Sequence, residues 1–288
     1  MQSTVYFSRD LDGKHIKDLY KLFEGKLSGN IAIKLHSGEE GNQNFLRPEY
    51  LKDIIDYVDG TVVECNTAYE GARNTSEKHL KTLKEHGWSK YFKVDLLDEE
   101  EDDLVLPIEN GFVLDKNYVG KDLSKYDSLL VLSHFKGHPM GGYGGALKQL
   151  SIGVSSSRGK AWIHSAGTTN QSKFWNNLPK QDTFLEAASS VVRYFKGNSL
   201  YINIMKNMSV DCDCCAVAED PCMKDIGVLI SDDPVAIDKA CIDLVMNSND
   251  PGKEHFMERV NSRHGLHTIE AAEKLGIGTT DYKLIEVK

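Results

Sequence analysis

Thiol side chains crowd into one short segment, VDCDCCAVAEDPC, residues 210–222. Four of the six cysteines of the chain lie in it: Cys212, Cys214, Cys215 and Cys222. Thiolates are soft ligands that select zinc, copper(I) or iron–sulfur clusters. The spacing, C-x-C-C-x6-C, matches neither the C-x2-C pairs of structural zinc sites nor the run of a ferredoxin. The segment therefore predicts a metal ion or an iron–sulfur cluster as cofactor, without identifying which.

Other interpretations of the thiols stay open. A redox pair is one, but adjacent Cys214 and Cys215 would form a strained bridge, and a C-x-C bridge is also tight. Burial as a small hydrophobic side chain is another, and it is our interpretation of Cys65 and Cys241. Asp211 and Asp213, inside the segment, offer carboxylate oxygens as further ligands.

Two histidines and a glycine-rich loop mark a second segment, SHFKGHPMGGYGGALKQLSIG, residues 133–153. We expect His134 and His138 to be metal ligands, because a loop can bring two imidazoles to one ion. Lys136 and Lys148 are expected to hold a small anionic substrate through its carboxylate or phosphate and to act in catalysis. The glycines expected to lie against a cofactor are Gly141, Gly142, Gly144 and Gly145. The loop has neither the P-loop nor the dinucleotide fingerprint, so it does not predict ATP or NAD; a flexible lid is the alternative.

Polar residues of two further segments complete the candidate site. In KLHSGEEGN, residues 34–42, His36 and Glu39 are expected to transfer protons, and a surface turn on the glycines is the alternative. In ECNTAYEGARN, residues 64–74, the guanidinium of Arg73 is expected to bind an anionic cofactor or substrate group.

Short apolar runs alternate with helical patterns along the chain. Strands are predicted over residues 4–7, 30–36, 60–66, 128–133, 161–165, 199–205 and 226–231, and helices over 74–87, 182–197 and 231–247. Asn74 and Asp233 are the predicted N-caps of the first and last helix. Several strands are continuously apolar, as strands buried on both faces are. The pattern predicts an α/β fold with a mixed or mostly parallel sheet flanked by helices.

One domain over residues 1–288 is expected, with a lobe break around 95–125 if it divides. The acidic run DLLDEEEDD, residues 95–103, is predicted to be a solvated loop. The candidate residues all follow predicted strands. Because ligands of open α/β sheets bind at the carboxyl ends of the strands, we expect these residues to share one site.

The charge and hydropathy of the sequence limit the classes of partner that we expect. The formal net charge is −9 and the basic residues form no stripe, so no nucleic-acid partner is predicted. No apolar run reaches the length of a membrane span, and the N-terminal residues lack the pattern of a signal peptide, which predicts a cytoplasmic protein without a membrane partner.

KLHSGEEGN, SHFKGHPMGGYGGALKQLSIG, CDC and DIGVLISDDPVAIDKACIDLV occur in this order and together resemble the family called domain of unknown function 362. Its members are often described as iron–sulfur centre proteins. The resemblance spans roughly residues 30–250. It implies site roles for the matching positions, which are His36, Glu39, His134, Lys136, His138, Lys148, Cys212 and Cys214. The GGALK element, residues 144–148, is also similar to one in nickel-dependent lactate racemases.

Many members of the family carry a ferredoxin-like insertion with two runs of cysteines, and this sequence lacks it. The segment that follows AWIHS has no cysteine, so the resemblance implies the short form of the family. We expect a metal- or cluster-dependent enzyme for a small anion, either an oxidoreductase, with a redox partner protein, or an isomerase. The alternatives are a non-catalytic metal-delivery protein and a flavin- or anion-binding enzyme whose cysteines are redox-sensitive.

Overall fold

A mixed sheet of eight strands lies at the centre of the computed structural model, which describes residues 2–100, 102–171 and 181–287. The strands of the sheet and of two hairpins are β1 Ser3–Ser8, β2 Ile31–Lys34, β3 Thr61–Glu64, β4 Val94–Leu96, β5 Asp103–Pro107, β6 Lys116–Gly120, β7 Ser128–His134, β8 Lys136–His138, β9 Gly142–Gly144, β10 Ser199–Met205, β11 Gly227–Ser231 and β12 Tyr282–Glu286. The helices are α1 Gly13–Tyr20, α2 Pro48–Val58, α3 Ser76–Glu85, α4 Trp88–Tyr91, α5 Ala146–Lys148, α6 Ser157–His164, α7 Gln181–Tyr194, α8 Pro234–Met246, α9 Lys253–Ser262 and α10 Leu266–Lys274.

The order of strands in the main sheet is β12-β1-β11-β10-β7-β2-β3-β4. The five neighbours from β10 to β4 are parallel, whereas β11 runs antiparallel to both β10 and β1. This arrangement confirms the predicted α/β class with a mostly parallel sheet. It also brings the carboxyl ends of β10, β7, β2 and β3 to one edge.

Both faces of the sheet are covered. Along β7, Leu129 and Val131 pack into one hydrophobic cluster, while Leu130 and Leu132 pack into the other. Alternate side chains of a strand point to opposite faces, so both sets are buried only if helices cover both sides. Strand β10 is likewise buried throughout, which explains why these strands are continuously apolar in sequence.

The last of the three predicted helices begins as expected. Asp233 caps α8, because its side chain accepts hydrogen bonds from the amides of Val235 and Ala236, and Pro234 follows in the first turn. Helix α3 begins one residue later than expected, since Thr75 adopts the extended backbone of a cap and accepts from the Lys78 amide. The prediction of Asn74 as its cap is therefore wrong.

The prediction of a strand over residues 161–165 is also wrong. The first four residues of AWIHS form the second half of α6 and Ser165 is its C-cap, while the Ser156 hydroxyl caps the first turn by accepting from the Gly159 amide. The aromatic and β-branched residues suggested a strand, but a local cap and tertiary packing override that preference. Trp162 lies against Tyr118 of β6 in an edge-to-face contact.

The acidic run at residues 95–103 is only partly a solvated loop. Leu96, Leu97 and Asp98 are buried, and the Asp98 carboxylate accepts the amides of Asn66 and Ser157. The lobe break near this segment stays a prediction. No helix in the described ranges, 2–100, 102–171 and 181–287, is both long and apolar enough to cross a membrane.

Candidate functional site

A cavity of about 280 Å³ opens at the edge where the parallel strands end. The segments that follow β2, β3, β7 and β10 all line it, for example with His36, Thr67, His138 and Cys214. The site therefore lies where open α/β sheets bind ligands. Pro139, Met140 and Ile152 give the cavity an apolar wall.

Three soft or borderline ligands meet at this cavity. The side-chain donor atoms of His138, Cys212 and Cys214 lie within 4.8 Å of one another, and we call these three residues the cysteine–histidine triad. His138 and Cys212 are buried and Cys214 is half-buried. The Nε2 atom of His138 lies 3.9 Å from the Cys214 sulfur.

Glycine explains how the two segments come so close. The Gly137 amide, in β8, donates to the Ser209 carbonyl at 2.8 Å, which ties the β8–β9 hairpin to the start of the cysteine loop. A Cβ atom at Gly137 would lie 2.3 Å from the Val210 oxygen, so a larger residue would separate the segments. Asn42 fixes the loop from the other side by donating to the carbonyl oxygens of Cys212 and Cys215.

The thiols of the triad differ in ionisation. Burial opposes ionisation of Cys212, but a hydrogen bond from Cys214 and the charges of Lys148 and Lys136 outweigh it and hold the pKa of Cys212 well below its usual value. Donating its single S–H proton, to the Cys212 sulfur or alternatively to that of Cys215, raises the pKa of Cys214. Without a metal, Cys212 therefore ionises more readily than Cys214. The Lys148 ammonium lies 3.7 Å from the Cys212 sulfur.

The hydrogen bonds of His138 fix its tautomer. Its Nδ1 accepts the amides of Met140 and Gly141, at 3.2 and 2.9 Å. Burial, followed by the charge of Lys148, lowers the pKa of His138, so the ring is neutral and its proton lies on Nε2, which faces the sulfurs. A metal could bind Nε2 only if that proton moved to Nδ1, and Nδ1 would then no longer accept the two amides.

The structure draws two of the predicted site residues away from the triad. His134 and Lys136 both pair with the buried Asp213 carboxylate, at 2.9 and 2.8 Å, and we call these three residues the Asp213 cluster. The second ring nitrogen of His134 lies 2.6 Å from the Lys206 carbonyl. Because both nitrogens of His134 and the ammonium of Lys136 are occupied, the geometry does not support His134 as a metal ligand or Lys136 as a substrate anchor.

The other two cysteines of the segment occupy different places. Cys215 lines the cavity beside the triad. A hydrogen bond from Cys214 outweighs burial and lowers the pKa of Cys215. The Cys222 thiol instead donates to the Met208 carbonyl, and its donor atom does not belong to the group around His138. Burial raises the pKa of Cys222 to about 11. The geometry therefore does not support Cys222 as a ligand.

His36 and Lys148 line the cavity as the sequence predicts. The Nδ1 atom of His36 accepts the Gly38 amide, and burial, then the charge of Arg73, lowers the pKa of His36. Its neutral ring therefore carries a proton on Nε2. Glu39 differs, because its carboxylate is held by Arg73, the Tyr69 hydroxyl and a backbone amide. With its acceptors occupied, Glu39 orients Arg73, and the structure does not support it as a base.

The four glycines of the loop meet protein atoms. A Cβ at Gly142 would lie 2.8 Å from the Gly265 Cα, and one at Gly145 would lie 2.5 Å from an Asp238 oxygen. Asp238 also accepts the two amides at the start of α5, so the helix end offered to an anion already binds this carboxylate. Gly141 donates to His138, and Gly144 pairs across the hairpin. The expectation that Gly141, Gly142, Gly144 and Gly145 contact a cofactor is not supported.

Some cavity residues have no role in the sequence-based prediction. Lys160 donates to two backbone carbonyl oxygens, and burial lowers its pKa. Gln149 follows Lys148 directly and also lines the cavity. A signal for Gln149 was present in the sequence, because it lies in the same quoted segment as the glycine loop, but an amide without a motif does not stand out.

The triad suits a single metal ion better than a cluster held by four thiolates. Two sulfurs and one imidazole are a known donor set for catalytic zinc, with the fourth position left to water or substrate. Zinc–sulfur bonds of about 2.3 Å require only a small inward movement of donors this close. Cys215 is a further thiol on the cavity wall, while Cys222 is bonded elsewhere.

Solved structures offer distant similarities. The lactate racemase apoprotein from Thermoanaerobacterium thermosaccharolyticum is 14% identical with a TM-score of 0.44, and the match covers 71% of this chain and 51% of that one. A structural-genomics target from Thermotoga maritima is 15% identical with a TM-score of 0.44, with 92% and 60% covered. The chain thus spans little more than half the length of either protein.

No curated protein matches the chain. The model of one family, described as a domain of unknown function (DUF362), matches residues 31–243. The matched region begins with β2, ends within α8 and contains every member of the triad together with the glycine loop. The chain belongs to the DUF362 family.

Proposed function

We propose that this protein is a metal-dependent enzyme acting on a small anionic molecule. The observation that carries the proposal is the cysteine–histidine triad, three metal-binding side chains beside a cavity. A storage or delivery site closes its ligands around the ion, whereas a catalytic site keeps one position open to a pocket. The cavity beside Cys214 and His138 therefore favours an enzyme over a carrier.

The residues around the triad would each have a separate role in the reaction. A bound metal ion would act as a Lewis acid or lower the pKa of a bound water. Lys148 attracts an anion to the same place, since its ammonium lies beside the Cys212 sulfur. His36 can donate its Nε2 proton to a ligand in the cavity. The apolar wall of Met140 and Ile152 excludes water and strengthens these interactions. The set is compatible with oxidoreduction and with isomerisation.

One observation favours a second candidate function. His138 directs a proton at the sulfurs, and Lys148 adds a positive charge, which is how proteins stabilise a reactive thiolate without a metal. On that basis the protein would be an anion-binding enzyme with a nucleophilic or redox-active Cys212. Metal content separates the two candidates.

The test is the metal content of protein purified without oxygen. The wild type should contain about one equivalent of a metal ion, and Cys212→Ser and Cys214→Ser should each lose most of it. His138→Gln should lose less, because the Nε2 proton already competes with the metal. Cys222→Ser is the matched control, since a serine hydroxyl can still donate to the Met208 carbonyl.

Two results would contradict the proposal or its ligand assignment. If the wild type and both triad cysteine variants contain only stray metal, the metal-dependent enzyme is ruled out. If the Cys222→Ser variant loses metal as fully as Cys212→Ser does, the ligands have been assigned to the wrong thiols.

A further inference from the structure

The helix after the glycine loop changes its winding at the cavity. Three residues, Ala146–Lys148, are α-helical, and the next five, Gln149–Gly153, form a π-helical turn. Such turns are rare and occur frequently at functional sites. Here the turn places two consecutive side chains, Lys148 and Gln149, on the cavity wall.

Gln149, the residue after Lys148, carries a buried amide donor group. Its side chain is 6% exposed, and within residues 2–100, 102–171 and 181–287 its Nε2 atom finds no hydrogen-bond partner. Buried donors are almost always paired, and Gln149 lines the cavity, so its unpaired amide points to a ligand that the side chain meets by turning toward the cavity. Gly153 makes room for this amide, because a Cβ there would lie 2.5 Å from the Gln149 oxygen.

Most other cations of the cavity wall are already paired. Lys34 lies 2.6 Å from a Glu64 oxygen, and Arg73 lies 3.1 Å from a Glu39 oxygen. Lys160 donates to two backbone carbonyl oxygens and lies in the field of a buried aspartate.

Lys148 is different. In the part of the chain that the structure describes, no carboxylate pairs with Lys148, and its hydrogen-bond partner is the Cys212 sulfur. Among the described residues, the wall therefore offers an ammonium without a carboxylate and an unpaired amide NH2 group, on adjacent residues.

We infer that Lys148 and Gln149 together bind the carboxylate of a small monocarboxylate, whose apolar body lies against Met140 and Ile152. This names the substrate class of the proposed enzyme and rests on that proposal for its catalytic meaning, although carboxylate binding itself needs no metal. Gln149 is then a specificity-determining residue.

A carboxylate fits this pair of donors better than a phosphate does. The ammonium donates to one oxygen and the amide to the other, which suits the two oxygens of a planar, singly charged group. A phosphate has more oxygens and a charge near −2, so it would leave charge and acceptors unpaired against the apolar wall.

The experiment measures binding of butyrate, its neutral analogue butyramide, and inorganic phosphate by saturation-transfer NMR and calorimetry. It uses the full chain, both as purified and after metal removal, with metal content recorded for each sample. The variants are Gln149→Leu, Gln149→Glu and Lys148→Met. The matched controls are Gln2→Leu, at an exposed glutamine, and Lys206→Met, at a lysine paired with Asp225 outside the cavity.

Butyrate should bind, and butyramide should not. Gln149→Leu and Lys148→Met should each weaken butyrate about 10- to 100-fold, the usual worth of a hydrogen bond to a charged group. Gln149→Glu should abolish binding by repulsion, and both controls should bind like the wild type. Because Glu has the shape of Gln, the Gln149→Glu variant still tests the inference if the Gln149→Leu protein does not fold.

Three results would overturn the inference: butyrate not binding, phosphate or butyramide binding as tightly as butyrate, or butyrate binding unchanged in the folded Gln149 variants. Its failure is distinct from that of the proposed function. Butyrate binding that depends on Gln149 in protein without metal would leave the inference standing and remove the metal centre. Bound metal in protein that does not bind butyrate would leave the metal centre standing and overturn the inference.

Discussion

Two polar clusters built from the same two chain segments differ in how completely they are paired. In the Asp213 cluster, one carboxylate holds His134 and Lys136, and all three side chains are buried. In the cysteine–histidine triad, the donor atoms meet beside a cavity. The Asp213 cluster is saturated by the protein, whereas the triad retains the capacity to bind something else.

Consecutive residues of the cysteine loop contribute to both clusters, one with a structural role and the other with a capacity to bind a ligand. Cys212, Asp213 and Cys214 are consecutive, yet the middle side chain points to the paired cluster and the outer two to the triad. The paired cluster fixes the β7–β8 corner against the cysteine loop. That fixed corner holds the three donor atoms close together, and close donors are what a metal site requires.

The largest effect should follow removal of the charge of Asp213. Burial opposes its ionisation, but His134 and Lys136 hold its pKa below the usual range. Asp213→Asn leaves buried cations without a carboxylate and should lower the free energy of unfolding by about 3–5 kcal/mol, measured by urea denaturation. The matched change Cys214→Ser should cost far less. Equal costs would show that the two clusters do not differ as described.

The next effect concerns thiol reactivity without metal. Because the pKa of Cys215 is lowered and that of Cys222 is raised to about 11, Cys215 should carry at least about 100-fold more thiolate at pH 7. Iodoacetamide should therefore modify Cys215 before Cys222, as peptide mass spectrometry can measure. Added zinc should protect Cys215 only if it lies against a bound ion. Faster modification of Cys222 would contradict the assigned ionisation.

The smallest expected effect is on the pH dependence of stability, and it comes from His79, a structural histidine outside the triad that contains His138. Burial lowers the pKa of His79 to about 3, so the folded ring stays neutral. The unfolded chain binds a proton below its ordinary pKa of 6.5, so the stability from His79 is full above that pH and is lost as the pH falls toward 3.

Between pH 7 and pH 5 this histidine alone should reduce the free energy of unfolding by about 2 kcal/mol. His79→Phe should remove that part of the pH dependence, and His255→Phe, at an exposed histidine, should not. The measurement is urea denaturation at both pH values. An unchanged pH dependence in His79→Phe would mean that the ring is protonated in the folded protein.

Much of the fold could be predicted from local signals. Continuous apolar runs identify the buried strands β7 and β10, and the Asp233–Pro234 pair marks the start of α8. AWIHS was misassigned because its residue types favour a strand, while its cap at Ser156 lies outside the quoted run. Pairing within the acidic segment was also hidden, since the partners of Asp98 lie at distant positions.

The candidate site could be predicted as a place but only partly as a set of contacts. Strand order brings the cysteine loop, the histidine hairpin and His36 to one edge, and the triad and Lys148 lie there. The sequence could not show which charged side chains pair with one another inside the protein. His134, Lys136 and Glu39 have suitable chemistry, yet the fold supplies each with a partner. Gln149 is the opposite case, a neutral residue that matters because its Nε2 atom has no partner among the residues that the structure describes.

The central claim is that Cys212 and Cys214, with His138, bind a metal ion. An anaerobic titration of the metal-free protein with cobalt(II), followed by absorption spectroscopy, tests it most directly, because thiolate ligands give a charge-transfer band in the near ultraviolet. The wild type and Cys222→Ser should develop that band and saturate at one ion per chain, while Cys212→Ser and Cys214→Ser should not. No band in the wild type, or an unchanged band in both triad variants, would contradict the account.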